Sequence, residues 1–175
     1  MPAYSFKQRF VPFVEDGSKP HTIRGRRKKG FAKKGDILYH YFGLRTKWCR
    51  KLREEICTNV RTIIITATDI YLISYRISDK DVQIEEDHLN AHGKPTNGIR
   101  LDDTLRNTFA WHDGFRPEGS TRDQPGDAFN LMIQFWISTH QLPFIGDLID
   151  WLPTEEGLKK AKCISNDKKS NQLAN

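Results

Sequence analysis

Apolar and polar positions along the chain follow two periods, and the change from one to the other marks out the elements. Tyr4-Ser5-Phe6 alternates and predicts a short opening strand. Phe10, Phe13 and Val14 recur at helical spacing, which predicts one helix over 7–16 with Pro12 in its first turn. Gly17 stands where a C′ glycine ends such a helix. The turn signal Lys33-Lys34-Gly35-Asp36 leads into a β-branched and aromatic run over 37–42, read as a strand. Two further runs, 60–67 and 70–76, flank Thr68-Asp69 and predict a hairpin. Residues 78–100 are polar, with a turn at Asn97-Gly98. Leu101, Leu105 and Phe109 place a stripe on a helix over 101–112. Phe129, Met132, Ile133, Trp136 and Ile137 give the clearest helical pattern, with Asp123 as its cap and Pro125 in its first turn. A loosely alternating run over 143–151 predicts a last strand.

The order strand, helix, strands, helices, strand does not match a doubly wound βαβ chain. It predicts an α+β fold, a small β-barrel or sheet decorated by about three helices, in one domain over 1–153. Residues 154–175 turn to Lys, Ser, Asn and Asp and predict a basic tail without fixed structure. A chain of 175 residues has room for one ordinary domain, and its 4 Trp, 5 Tyr and 10 Phe supply a core. No apolar run approaches the ~20 residues that span a bilayer. The N-terminal residues lack the apolar stretch of a signal peptide. With 3 cysteines at irregular spacing, a disulfide framework is not expected. The reading is a cytoplasmic protein.

Charge changes this picture. Residues 1–61 carry a net charge of +11, residues 62–157 a net of −9, and 158–175 a net of +4. A basic face attracts phosphates and speeds encounters with polyanions. Alternatively, the basic and acidic segments neutralise each other once folded.

The stretch Gly17-Ser18-Lys19-Pro20-His21-Thr22-Ile23-Arg24 holds the most chemistry. An amine and a hydroxyl this close converge if the chain turns at Pro20, and in an extended run Thr22 and Arg24 share one face. A threonine hydroxyl is a nucleophile only when a base takes its proton. Lysine is that base only when neutral, a state favoured by burial and by neighbouring cations. The plain alternative is a turn followed by a basic surface strand. Tyr41 is a stacking candidate for a base, with Tyr39, Phe42, Trp48 and Trp111. Arg26, Arg27, Arg45 and Lys47 are phosphate-contact candidates; the cluster 45–53 either tracks phosphates or solvates a helix face. His21 and His112 are the one evident acid–base pair for ribonuclease action. Neither Cys49 and Cys57 nor His88 and His92 carry zinc spacing, so no metal and no cofactor is expected.

The segment resembles the signature of the ASCH family, a branch of the PUA-like β-barrels. The resemblance rests on the aromatic-rich opening Tyr4 to Phe10, on Gly17, Lys19, Thr22 and Arg24 as Gly-x-Lys-x-x-Thr-x-Arg, and on Gly35-Asp36 before a strand. A corner Asp113-Gly114-Phe115 follows a later helix, and the ending Leu142 to Gly146, then Trp151, is similar to phage and prophage forms of the family. It covers about residues 4–152. One small bacterial branch removes the acetyl group from N4-acetylcytidine. By that likeness Lys19 is implied as the base, Thr22 as the nucleophile, and Asp113 as the acidic partner that orients or balances Lys19. Asp113 departs from the family's glutamate by one methylene, and the loop 116–124 is longer than in the minimal enzymes. Other members are described as ribonucleases or RNA-binding modules. The implied partners are therefore RNA, single-stranded nucleic acid or a modified nucleoside, held by Arg24, Arg26, Arg27, Tyr41, Arg45 and Lys47. The implied function is an amidohydrolase of N4-acylated cytidine, or alternatively a non-catalytic binding module or a metal-independent ribonuclease.

Overall fold

The computed structural model describes residues 2–152. The tail expected over 154–175 and the end of the domain at 153 lie outside the described residues.

The fold is α+β, with a seven-stranded mixed sheet and four α-helices among the described residues. Its spine is β4, Arg50–Ile65, preceded by β1 (Ala3–Phe6), β2 (His21–Gly25) and β3 (Ile37–Phe42). The N-terminal half of β4 pairs antiparallel with β3, and β3 pairs parallel with β1. The C-terminal half lies between β5 (Ile70–Ile73) and β7 (Phe144–Trp151). Beyond these, β7 carries β2 and β5 carries the short β6 (Ile99–Arg100). In this pattern β1, β2 and β6 each have one strand partner, so the sheet is open and the expected closure into a barrel is not made.

Burial along β4 explains why only its second half looked like a strand. Ile63, Ile64 and Ile65 are all fully buried, because both sheet faces are covered there. Ile63 and Ile65 pack with helices α3 (Asp103–His112) and α4 (Ala128–Thr139). Ile64 packs on the opposite face, with Leu89 of α2 (Asp79–His92). The first half, Arg50 to Ile56, is largely solvated and charged. The cluster 45–53 is thus a loop running into a strand, not a helix face.

Other departures have local causes. The helix expected over 7–16 is split into a 3-10 turn, Gln8–Phe10, and α1, Val11–Glu15. Pro12 has no N–H to continue a bonded ladder from the preceding turn, so the α-helix starts afresh just before it. The polar stretch 78–100 contains α2, which buries only Glu85 and Leu89 and so shows no apolar stripe. A capping box of Ser78 with Asp81 opens it, and Gly93 ends it at φ 70°. In α3 the buried residues are Ala110 and Trp111, whereas Leu105 is 52% exposed. Asp127, not Asp123, is the N-cap residue of α4, and Pro125 precedes the helix. Phe129, Met132, Ile133 and Trp136 point inward, while Ile137 is exposed. No helix among the described residues is long and apolar enough to cross a membrane.

Candidate active site

Two turns deliver the central pair. At the end of α1, Gly17 takes φ 73°, and Lys19 N–H donates back to the Phe13 carbonyl at 2.9 Å, which turns Lys19 inward before β2 begins. At the end of α3, Asp113 is the C-cap and Gly114 takes φ 98°. A side chain at 114 would place its Cβ 2.8 Å from Phe10 Cδ1, so glycine lets this corner close on the Phe10 ring. The two turns meet. Lys19 Nζ donates to both the carboxylate and the backbone carbonyl of Asp113, 94 residues away, with Lys19 only 2% and Asp113 5% exposed.

Burial sets the chemistry of this pair. It lowers the Lys19 amine to about 8, against the attraction of Asp113 and with the help of Arg24 and Arg116. It raises Asp113 above the usual carboxylate range, against the pull of Lys19 and Arg24. Both shifts favour the neutral forms, which narrows the gap between the ionic and the neutral pair. Lys19 is thereby brought close to the protonation a general base needs near neutral pH.

A cavity of about 240 Å³ opens beside the pair. Thr22 and Arg24, two positions apart on β2, both line it, as strand alternation allows. Thr22 is 4% exposed and its hydroxyl has no hydrogen-bond partner among the described residues. No bond joins it to Lys19. Arg24 spreads its guanidinium 4.8 Å from the Phe6 ring centre and 5.3 Å from that of Tyr4, with Nε unpaired. Ser5, Lys7 and His140 complete the polar lining, and Phe10, Phe115, Phe135 and Trp136 supply aromatic walls.

The remaining predicted residues do not line the cavity. Arg26 is a structural clamp: it donates to the Ile77 carbonyl at 2.6 Å and reaches Asp79 and Asp147. Arg27 is exposed, 5.4 Å from the Tyr4 ring centre, near Arg24 but not in the cavity lining. Tyr41 sits in β3 between Ser5 and Lys51. Arg45, at φ 72°, and Lys47, whose amine lies over Trp48, belong to the exposed loop after β3. His21 stacks on Phe109 at 4.6 Å, and its Nε2 stands unpartnered 3.7 Å from Asp113 Oδ1. Burial holds His21 well below the ordinary imidazole value and His112 down to about 4. Both shifts favour the neutral imidazole, with burial as the first cause in each.

Sequence reasoning missed Arg116. Its guanidinium is sandwiched between Phe13 and Trp111, 3.9 Å from each ring centre. It donates to Ser18 Oγ at 2.9 Å and to the Trp111 carbonyl at 3.3 Å. One side chain thus ties the residue before Lys19 to the helix end that carries Asp113. Its neighbourhood to Asp113-Gly114-Phe115 was the available signal. Of the aromatic walls contributed by α4, Trp136 was read only as part of a helical stripe and Phe135 was not singled out, because helical spacing marks an inward face without saying what lies beyond it.

No known protein family, curated protein or solved structure matches the chain.

Proposed function

We propose that the chain is a PUA-like protein of the ASCH type that acts on a nucleoside, removing the acyl group from N4-acylated cytidine in a bacterial or phage-infected cytoplasm. One observation carries the reading: a buried lysine–aspartate pair, joined across the fold, borders a base-sized cavity that also presents an unbonded threonine hydroxyl and an arginine.

The chemistry follows from these groups. Neutral Lys19 takes the proton of the Thr22 hydroxyl as its oxygen attacks the amide carbonyl. The carbonyl electrons move to oxygen, and the Arg24 guanidinium faces the developing negative charge. The tetrahedral intermediate collapses with cleavage of the C–N bond. The Lys19 ammonium returns the proton to the departing cytosine N4, leaving an acyl ester on Thr22. Water, deprotonated by Lys19, then hydrolyses that ester and restores both residues. Asp113 holds the amine toward the cavity and balances the ammonium formed between steps. The aromatic walls provide a flat apolar surface for the base, worth ~1–3 kcal/mol where a base stacks. Closing the distance from Lys19 to Thr22 is left to the bound complex, where catalytic hydrogen bonds tighten.

Incubation with N4-acetylcytidine, followed by chromatography for cytidine, tests the proposal. Turnover by the wild type and its loss in Lys19→Ala and Thr22→Val are expected. Absence of turnover by the wild type, or undiminished turnover by Lys19→Ala, contradicts it.

A second reading, binding of RNA through the basic half, is favoured by one observation. Lys28, Lys29, Lys33, Lys34, Arg45 and Lys47 make no ion pair among the described residues. Under this reading affinity for single-stranded RNA falls steeply with salt. Anisotropy titrations at two salt concentrations test it, and salt-independent affinity rules it out.

A further inference from the structure

The proposed reaction uses Lys19, Thr22, Arg24 and Asp113 and leaves the other cations of the cavity without a role. Lys7 lines the cavity, and its amine lies 4.6 Å from the Phe135 ring centre. Arg9 is not itself a lining residue but packs against three rings that are, with its guanidinium 4.9 Å from the ring centre of Phe115, 5.3 Å from that of Phe10 and 5.6 Å from that of Phe135. Both residues are exposed, and neither forms an ion pair among the described residues. The single carboxylate in the lining, Asp113, is engaged by Lys19. The cavity therefore has an uncompensated positive mouth over an aromatic interior.

We infer that the site takes its cytidine as a nucleoside monophosphate, with the base against Phe10, Phe115, Phe135 and Trp136 and the phosphate held by Lys7 and Arg9. This rests on the nucleoside reading above and adds the charge class of the ligand. A neutral nucleoside leaves the repulsion among the cavity's cations in place, whereas a phosphate relieves it. Guanidinium and ammonium groups form their shorter, stronger hydrogen bonds to such an anion. Size argues for one nucleotide over a length of chain. The cavity, about 240 Å³, is smaller than the ~300–1,000 Å³ of sites that enclose drug-sized ligands. The basic loops that would track a longer strand, around Lys28 and around Lys47, do not line it.

Calorimetric titration of the full chain with cytidine, cytidine monophosphate, inorganic phosphate and a short oligocytidine decides the matter. The monophosphate is expected to bind at least about tenfold more tightly than cytidine at low salt, since charge-assisted bonds are roughly twice as strong as neutral ones. That preference collapses in the double variant Lys7→Gln/Arg9→Gln and shrinks as salt is raised. Equal affinity for cytidine and its monophosphate overturns this inference while leaving the nucleoside reading intact. Failure of both to bind overturns both. Inorganic phosphate binding as tightly as the nucleotide shows an anion site without base recognition and overturns the inference. So does an oligocytidine that binds more than about tenfold tighter than the monophosphate, which would place the ligand on the basic surface.

Discussion

Two aspartates are buried against cations among the described residues, and they are built to different ends. Asp147 on β7 is 2% exposed and meets Arg76 Nε at 3.0 Å and Arg26 Nη1 at 3.4 Å. Arg26 continues to the Ile77 carbonyl, and Ile77 N–H donates to Thr62 Oγ1 at 3.0 Å. The terminal nitrogens of Arg26 and the guanidinium of Arg76 bond to carboxylate and backbone groups there, although Arg26 Nε has no partner, and they tie β2, β4 and β7 to the start of α2. Asp113 is as deeply buried but meets a lysine, an unpartnered imidazole and a cavity. An arginine is a permanent cation, whereas a buried lysine gives up its proton readily. The first cluster therefore fastens the sheet, and the second keeps exchangeable protons beside open space.

The sharpest way to break this comparison is to remove charge from each cluster. Asp147→Ala removes the carboxylate shared by two partly buried guanidiniums, which keep only their other partners, and is expected to cost up to ~3 kcal/mol in denaturant unfolding. The double variant Lys19→Met/Asp113→Leu replaces the other pair by apolar groups. It is expected to unfold within ~1 kcal/mol of the wild type, or above it, while losing ligand turnover. Equal stability losses from both changes would erase the distinction.

A smaller loss tests the corner that carries Asp113. Gly114→Ala adds a Cβ against Phe10 at a positive φ, at an expected cost of ~1–3 kcal/mol in thermal melts. Gly30→Ala, at φ 67° but with open space around its Cβ, is expected to cost less. A larger loss at Gly30 than at Gly114 would deny the close packing of α3 on Phe10.

Acid tests the buried histidines next. Burial lowers His40 to about 3 and His112 to about 4, and it holds His21 well below its ordinary value of 6.5. Below 6.5 the unfolded chain therefore takes up protons that the folded chain refuses. The share of stability linked to these three histidines is full above that pH and falls as pH drops through 6.5 toward 3. His40 is fully buried with both ring nitrogens unpaired, between Phe6 and Trp151. His40→Phe should flatten this acid slope in unfolding measured pH by pH, and an unchanged slope would assign it elsewhere.

The smallest expected effect is on Arg116. Arg116→Gln removes a cation that lowers the Lys19 amine and loosens Ser18 from Trp111, so the Lys19 titration should move upward. Arg116→Lys keeps the charge but not the fork, and it should restore part of the lowering. A downward shift in Arg116→Gln would contradict the positioning role.

These particulars also show what the chain could reveal before folding. Strands β1, β3, β5 and β7 were legible because their apolar runs are short and bounded by turn residues. The start of β4 was not, since Arg50 to Ile56 face solvent and read as a charge cluster. Helix α2 was missed because so little of it is buried, although Ser78, Asp81 and Gly93 marked both its ends. Lys19, Thr22 and Arg24 lie within one motif, so their grouping could be read along the chain. The approach of Asp113 depends on two turns 94 residues apart in their contact and came only through family likeness. The clamp role of Arg26 was illegible, because the carboxylates that claim it are more than 50 residues away.

Titration of the Lys19 ε-amine, followed by NMR on lysine-labelled protein, bears most directly on the contrast between the two clusters. A midpoint near 8 in the wild type, falling further in Asp113→Asn as the attraction is removed, is the expected result. A midpoint at or above the ordinary 10.5 would make Lys19 a permanent cation like the arginines around Asp147, and the case for a proton-transferring site would fail.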